Sequence, residues 1–509
     1  MTEVKVAAAL TLEEGEKRLV IVRNKKVLFL RHKGKLLAMQ PECPHQGGPL
    51  VEGAVCNGHL VCPWHMGTFA LPGGELAEPP PMEGLKTYSV REEATGVFIG
   101  LEPRKEERPT KKKGKAYGKG RKLLLIGCGA ANAMAAITLR REGYRGEITV
   151  VDPLRDEPVD RTQLSKDALA KVGPLAKPQI DQPGNLKLKR LTARVVALSS
   201  VRSEARLNDG MTVRFDAALV ATGGKPRRLK VPGGDEVFVL RHTEDLRKIR
   251  NAAVKGSRAV IVGTSFIGME AASALTQRGV KVTVVGESRV PFEKQLGVPI
   301  AKAILSLHKK HGVAFVLGAK VVAVSLHGVT IEERRSYREI QGDLVVQGVG
   351  VSPELGFSHD LPLAKDGSVA TDRTLRATRQ VWVAGDVASV DGTRIEHWRV
   401  AQQHGMFAAR KMLGADSKFD GVPFFWTAHF DKQISYLGHA DSWDEIVYDG
   451  SVQRFKFLAF FVKGGHVVAV TSCGRDSETA LLAELMRSRL TISQIKKRLD
   501  QIMSKQSKR

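Results

Sequence analysis

The chain has 509 residues, of which 42% are apolar and 26% charged; this is ordinary globular usage, so a single small module, a fibrous chain and wholesale disorder are excluded. No stretch approaches about 18 uninterrupted apolar residues, and charges cut short the apolar run near the start, so the sequence predicts neither a membrane span nor a secretory signal. The net charge of +25 is concentrated: residues 104–122 carry +8 and the tail from Arg487 carries +7, whereas residues 1–103 carry −1.

Residues 1–103 read as short alternating segments (RLVIVRN, KVLFLRH, GKLLAMQ, TYSVREE) broken by Gly, Pro and Asn, the pattern of a small antiparallel β domain. Residues 104–120 combine like charges with glycines and few apolar side chains, so they are expected to be an extended linker that lets the first domain swing. The pattern then changes to strand, Gly-rich turn, helix, strand (KLLLIG, GCGAAN, AMAAITLRREG, EITVVD), and it recurs at SRAVIVG to VKVTVVGE. Two such βαβ units predict two dinucleotide-binding domains, one over residues 121–241 and 371–417 and the other over 242–370. Residues 418–490 read as a smaller α+β domain, and 491–509 as a basic tail. The charged segments are read as solvated linker and tail or as contacts for an acidic protein partner. With aromatics at 6% and no groove-reading element, nucleic acid is not expected. The five cysteines are too scattered for a disulfide framework, which suggests a reducing, cytoplasmic setting.

The most specific signal is CPHQGGPL followed by CPWHMGTF: Cys43-x-His45, 16 intervening residues, then Cys62-x-x-His65. Two Cys and two His also suit tetrahedral zinc, but zinc fingers usually pair Cys with Cys and His with His along the chain, whereas each loop here supplies one of each. The pattern resembles the Rieske motif, in which two thiolates hold one iron and two imidazoles the other iron of a [2Fe–2S] cluster. Neutral imidazoles in place of thiolates remove negative charge, so the potential rises to between about −150 and +300 mV, against about −400 mV for an all-Cys ferredoxin. Cys56, between the two loops, is read as a structural thiol.

Gly127-x-Gly129 after a strand and before a helix lets backbone N–H groups approach a pyrophosphate, and Asp152 ends the next strand, where it can accept from a ribose hydroxyl. The third glycine of that fingerprint is replaced by Asn132. In the second unit, Gly263 and Gly268 flank Ser265, which stands where the second glycine is expected, and Glu287 ends the following strand. A carboxylate there favours an unphosphorylated ribose, hence NADH over NADPH.

These motifs occur in a fixed order with PVDRTQLSK, LVATGGKPRRLKVPG, VWVAGDVA, RIEHWRVAQQHG and VPFFWTAHF. Together they resemble the FAD-dependent pyridine-nucleotide reductases of the ferredoxin reductase and apoptosis-inducing-factor type, and with the cluster motif added, the Rieske-fused subgroup of that family. The resemblance implies an all-β Rieske domain, an α/β flavoprotein reductase with two dinucleotide-binding domains, and a small α+β C-terminal domain. It assigns Arg161, Ala221, Thr222, Gly223, Gly385 and Asp386 to FAD, Lys166 to the flavin ring and Glu270 to the nicotinamide carboxamide. It also places Glu396, His397, Trp398 and Trp426 along the flavin border. Lys166, Glu270 and His397 are the candidate catalytic residues.

Disulfide reductases of related fold need two cysteines beside the flavin. Cys128 and Cys473 have no such partner in sequence, so dithiol chemistry is not expected, and His308, His311, His404 and His429 share no ligand spacing. The expected path runs from NADH through FAD and the cluster to an external one-electron acceptor, which is an oxygenase, ferredoxin or cytochrome. The alternative is a slowly turning over redox-sensing flavoprotein that changes partner binding or homodimerisation.

Overall fold

The computed structural model describes residues 3–6, 10–104, 120–154, 158–174, 186–333 and 336–506. Most of the segment read as a linker, residues 105–119, lies outside them. The first domain is all β. A six-stranded antiparallel sheet (Glu3–Lys5, Gly96–Pro103, Thr87–Glu93, Lys35–Met39, Lys25–His32, Lys17–Val22 in spatial order) carries a four-stranded antiparallel sheet, Ala54–Cys56, His59–Val61, Thr68–Ala70 and Leu76–Glu78. The two motif loops precede and interrupt this smaller sheet, which places both at its end.

The first dinucleotide domain has a parallel sheet in the order Lys189–Thr192, Glu147–Asp152, Lys122–Ile126, Ala217–Val220, Val381–Val383. Such strands are covered on both faces, and Leu123, Leu124, Leu125 and Ile126 are accordingly all buried. The second repeats the pattern with Ala314–Leu317, Lys281–Gly286, Arg258–Val262 and Leu344–Gln347. Helices Ala130–Arg141 and Phe266–Gln277 follow the two Gly turns. The C-terminal domain is a five-stranded antiparallel sheet, Phe424–His429, Lys432–Gly438, His466–Cys473, Lys456–Lys463 and Glu445–Ser451, packed against helix Asp476–Leu485. Among the described residues no helix is long and apolar enough to cross a membrane.

Two features differ from the sequence reading. The segment read as a basic tail contains a helix, Ile492–Gln506, because Ile495 and Leu499 recur at helical spacing and are buried against the C-terminal core. The first domain, expected to swing, is packed onto the reductase. Ala54, Cys56, Val61 and Met66 share one apolar core with Phe424, Trp426 and Leu481 of the C-terminal domain. Leu50, Leu60 and Phe69 share another with Ala133, Met134 and Met406 of the flavin half.

Arg399 pins this junction. It is 2% exposed and donates to Pro79 O (2.8 Å), Met66 O (3.0 Å), Val422 O (3.0 Å) and Glu78 Oε2 (2.6 Å). Glu78 also receives Gln403 Nε2 at 2.6 Å and a contact from Arg487. Burial alone would raise the pKa of Glu78, but Arg399 and Arg487 hold it below the usual carboxylate range.

Candidate functional site

The cluster loops bring four donors together in two pairs. The Nδ1 atoms of His45 and His65 lie 3.2 Å apart with their rings edge to face, and the thiols of Cys43 and Cys62 are within hydrogen-bonding reach. Among the described residues no three His, Cys, Asp or Glu form a group that could hold a single ion. Two separated pairs suit a two-iron cluster, with sulfur on one iron and nitrogen on the other. The charges agree: the shared hydrogen bond raises the Cys43 thiol and lowers that of Cys62, and a second thiolate in this buried position needs the positive charge that iron brings. Gly48 makes room, since a Cβ there would stand 2.8 Å from Cys62 Sγ. Burial and the neighbouring His45 push His65 well below the usual imidazole range, so its ring is neutral, as a metal ligand must be.

His65, 5% exposed, packs on Trp426 with ring centroids 4.2 Å apart. Lys166 Nζ stands 5.9 Å from the Trp426 ring and donates to Glu270 Oε2 at 2.9 Å and to Thr162 O at 3.0 Å. Glu270 is a buried hub. Its Oε2 also accepts from Ser165 Oγ (2.5 Å), and its Oε1 accepts from Thr427 Oγ1 (2.7 Å) and Ala428 N (3.4 Å). Three domains therefore meet here: Lys166 comes from the flavin half, Glu270 from helix Phe266–Gln277 and Trp426 from strand Phe424–His429.

The FAD-side residues gather along the carboxyl ends of the first parallel sheet, where cofactors bind in such folds. Gly127, at φ +93°, lies so close to the next strand that a Cβ would meet Ala221 O at 2.5 Å and Thr222 Cα at 3.1 Å. Asn132, at the position of the missing glycine, donates from Nδ2 to Ile126 O (2.9 Å) and Gly127 O (2.8 Å), so its side chain braces the turn. Asp152 accepts from Cys128 N at 2.7 Å and Leu154 N at 2.8 Å, fixing the same turn. Gly129 caps the following helix, Gly385 N donates to His404 Nδ1 at 3.2 Å, and Thr222 Oγ1 donates to Glu354 O at 2.6 Å.

Asp386 accepts from Arg241 Nη2 at 3.2 Å, and Arg161 lies beside Gly223 in the same pocket. Burial and the adjacent Arg241 push Arg161 down to about 10. Two guanidiniums crowded against Asp386, with Arg241 Nε buried and unpartnered, suit a site for an anionic cofactor such as FAD. Arg241 escaped the sequence reading because it lies in no glycine motif.

The border residues divide. His397 caps helix Trp398–Met412, lies 4.4 Å from the Phe425 ring and has a buried Nδ1 without a partner; burial lowers it to about 3. Glu396 pairs with Arg394. Trp398 packs against both first-domain and C-terminal cores, so its ring belongs to the junction. Gly263 and Gly268 make the second Gly turn, Ser265 caps its helix by accepting from Gly268 N at 3.2 Å, and Glu287 is exposed just past strand Lys281–Gly286. The five cysteines form no disulfide; Cys128 lies in the Gly turn and Cys473 in the C-terminal sheet.

Three family patterns match the chain: Rieske [2Fe-2S] domain over residues 2–89, pyridine nucleotide-disulphide oxidoreductase over 121–405, and reductase C-terminal over 424–500. Apoptosis-inducing factor 3 of Mus musculus is 30% identical over 94% of this chain and 82% of its own length. The anthranilate 1,2-dioxygenase system ferredoxin–NAD(+) reductase component of Burkholderia cepacia is 29% identical over 69% of this chain and 91% of its own. Among solved structures, the covalent putidaredoxin reductase–putidaredoxin complex shares the fold, with a TM-score of 0.70, 23% identity and coverage of 77% of this chain and 100% of that one.

Proposed function

From a chain that belongs to the pyridine nucleotide-disulphide oxidoreductase family and carries a Rieske domain, we propose an NADH-dependent reductase whose FAD and [2Fe–2S] cluster together divide a two-electron hydride into single electrons for an external acceptor. The chain is an FAD-dependent oxidoreductase of ferredoxin reductase type. The observation that carries the proposed path is the contact of His65 with Trp426, whose ring also faces Lys166. One indole thus touches both a proposed cluster ligand and a proposed flavin-side residue.

In this reading Cys43, Cys62, His45 and His65 hold the cluster. Gly127, Gly129, Arg161, Arg241 and Asp386 hold FAD, and Glu270 orients the nicotinamide carboxamide. Lys166 places a cation at the flavin ring, and Trp426 excludes water between the two centres. Glu287 selects NADH because a carboxylate repels a 2′-phosphate. The acceptor is an oxygenase, a ferredoxin or a cytochrome.

Anaerobic NADH is expected to bleach the flavin and then produce the electron paramagnetic resonance signal of a reduced Rieske centre. A bleached flavin beside a silent cluster overturns the path. A second reading is a slowly turning over redox sensor. Rapid NADH-dependent reduction of a ferredoxin or cytochrome favours the enzyme, and sluggish turnover with a persistent charge-transfer band favours the sensor.

A further inference from the structure

Behind Glu270 runs a line of buried polar groups that the reductase reading does not use. Thr427 Oγ1 donates to Glu270 Oε1 at 2.7 Å and lies 3.2 Å from His429 Nε2. His429 Nδ1 lies 3.0 Å from Nε2 of His308, and both rings are fully buried. His308 Nδ1 has no partner. It belongs to the last turn of helix Val298–Lys310, which ends at the exposed His311.

The chemistry of the end group fixes every hydrogen along this line. An ionised carboxylate only accepts, so the Thr427 hydroxyl donates to it; the Thr427 oxygen must then receive an N–H from His429 Nε2. A neutral His429 consequently accepts at Nδ1, so His308 donates from Nε2 and keeps a bare lone pair on Nδ1. Burial lowers His429 to about 3 and His308 to about 2, which keeps both rings neutral near pH 7. All donors therefore point from the helix end toward Glu270.

We propose that His308, His429 and Thr427 form a proton relay that carries one proton from the last turn of helix Val298–Lys310 to Glu270 as reducing equivalents enter the site, and returns it as they leave. The proposal rests on the reductase reading. A proton that reaches the buried His308 Nδ1 from the helix end binds there, and the proton on His308 Nε2 passes to His429 Nδ1. His429 Nε2–H then passes its proton to Thr427 Oγ1, whose own hydroxyl proton goes to Glu270 Oε1. One N–H forms at the entry and one O–H at the end, no electron pair leaves the line, and the reverse order restores it without any side-chain rotation.

The gain lies at Lys166. In the resting site its charge is matched by Glu270 at 2.9 Å. Once Glu270 is protonated, Lys166 is a cation without a counter-ion beside the ring whose negative charge has grown. The ionisable groups facing the relay are Lys166 from the flavin half, which opposes charge on His429, and His311 on the same helix, which opposes charge on His308.

The test mixes the holoenzyme with NADH anaerobically in weakly buffered solution containing phenol red, following dye and flavin together. In the wild type a proton-uptake phase is expected to keep pace with bleaching. In His308→Leu bleaching keeps its rate while uptake lags at least about tenfold, and added imidazole restores it; in Glu270→Gln the phase is lost. Uptake that keeps pace in His308→Leu, or that persists in Glu270→Gln, overturns the relay. Should His308→Leu not fold, imidazole nitrogen spectra of the oxidised wild-type holoenzyme decide: Nε2 protonated and Nδ1 bare on both rings is expected, and any other tautomer overturns it. Absence of bleaching by NADH would count against the reductase reading, which the nitrogen spectra do not depend on.

Discussion

Replacing Arg399 by Leu tests whether the first domain is seated on the reductase as the structure describes. The guanidinium makes four hydrogen bonds, to three backbone carbonyls and to Glu78, and the residue is almost fully buried. Breaking a buried ion pair by removing one partner costs about 3–5 kcal/mol. Arg487 and Gln403 remain on Glu78, so the lower end, about 3 kcal/mol, is the expectation. At about 1.4 kcal/mol per decade this weakens docking roughly 100-fold. In anaerobic stopped flow with NADH, flavin bleaching in the variant keeps its wild-type rate, cluster reduction slows, and the thermal midpoint falls. Wild-type cluster reduction together with an unchanged midpoint would refute the reasoning, because the junction would then not depend on the contacts that hold it.

Acid should weaken the fold through buried imidazoles. Burial pushes His308 to about 2 and His397, His404 and His429 to about 3, from 6.5. The unfolded chain binds protons that the folded chain refuses, so this stability is intact above pH 6.5 and lost as pH falls from there toward 3, by about 1.4 kcal/mol per ring at pH 5.5; chemical denaturation across that range measures it. Lys166→Met strands the buried Glu270 carboxylate and should cost about 3–5 kcal/mol, with part of the loss recovered in the double variant with Glu270→Gln. Strictly additive denaturation energies would rule out the coupling. Glu287→Arg should shift the coenzyme preference toward NADPH, read as the ratio of kcat/KM values; an unchanged ratio would show that Glu287 does not face the ribose.

The cluster ligands and both Gly turns were legible because their chemistry is packed into short windows: a Cys-x-His loop or a Gly-x-Gly turn is complete within a few residues. Two departures from the fingerprints became intelligible only in three dimensions. Asn132 substitutes hydrogen bonds for the close packing a glycine allows, and Ser265 trades backbone freedom for a helix cap. Arg399, Arg241, Thr427 and the His308–His429 pair were invisible for a common reason. Each acquires its role from a partner more than 100 residues away, except Thr427 with its near neighbour His429, and no local spacing encodes such a meeting. The swinging linker was inferred from charge and glycine content, which describe the tether and say nothing of the apolar face that the first domain presents to its neighbours.

The seating of His65 against Trp426 changes what kind of event the proposed electron hand-off would be. Two separate proteins must find each other by diffusion, and their exchange slows in proportion as they are thinned out. In the proposed path the residues that would hold donor and recipient belong to one molecule and already meet, so the step would be first order and indifferent to dilution. Its contacts are shielded from the solvent, so ionic strength should leave it largely untouched while still governing any later encounter with a mobile carrier. On the proposed path, the covalent fusion assigns crowding and salt to the exit of the electrons alone.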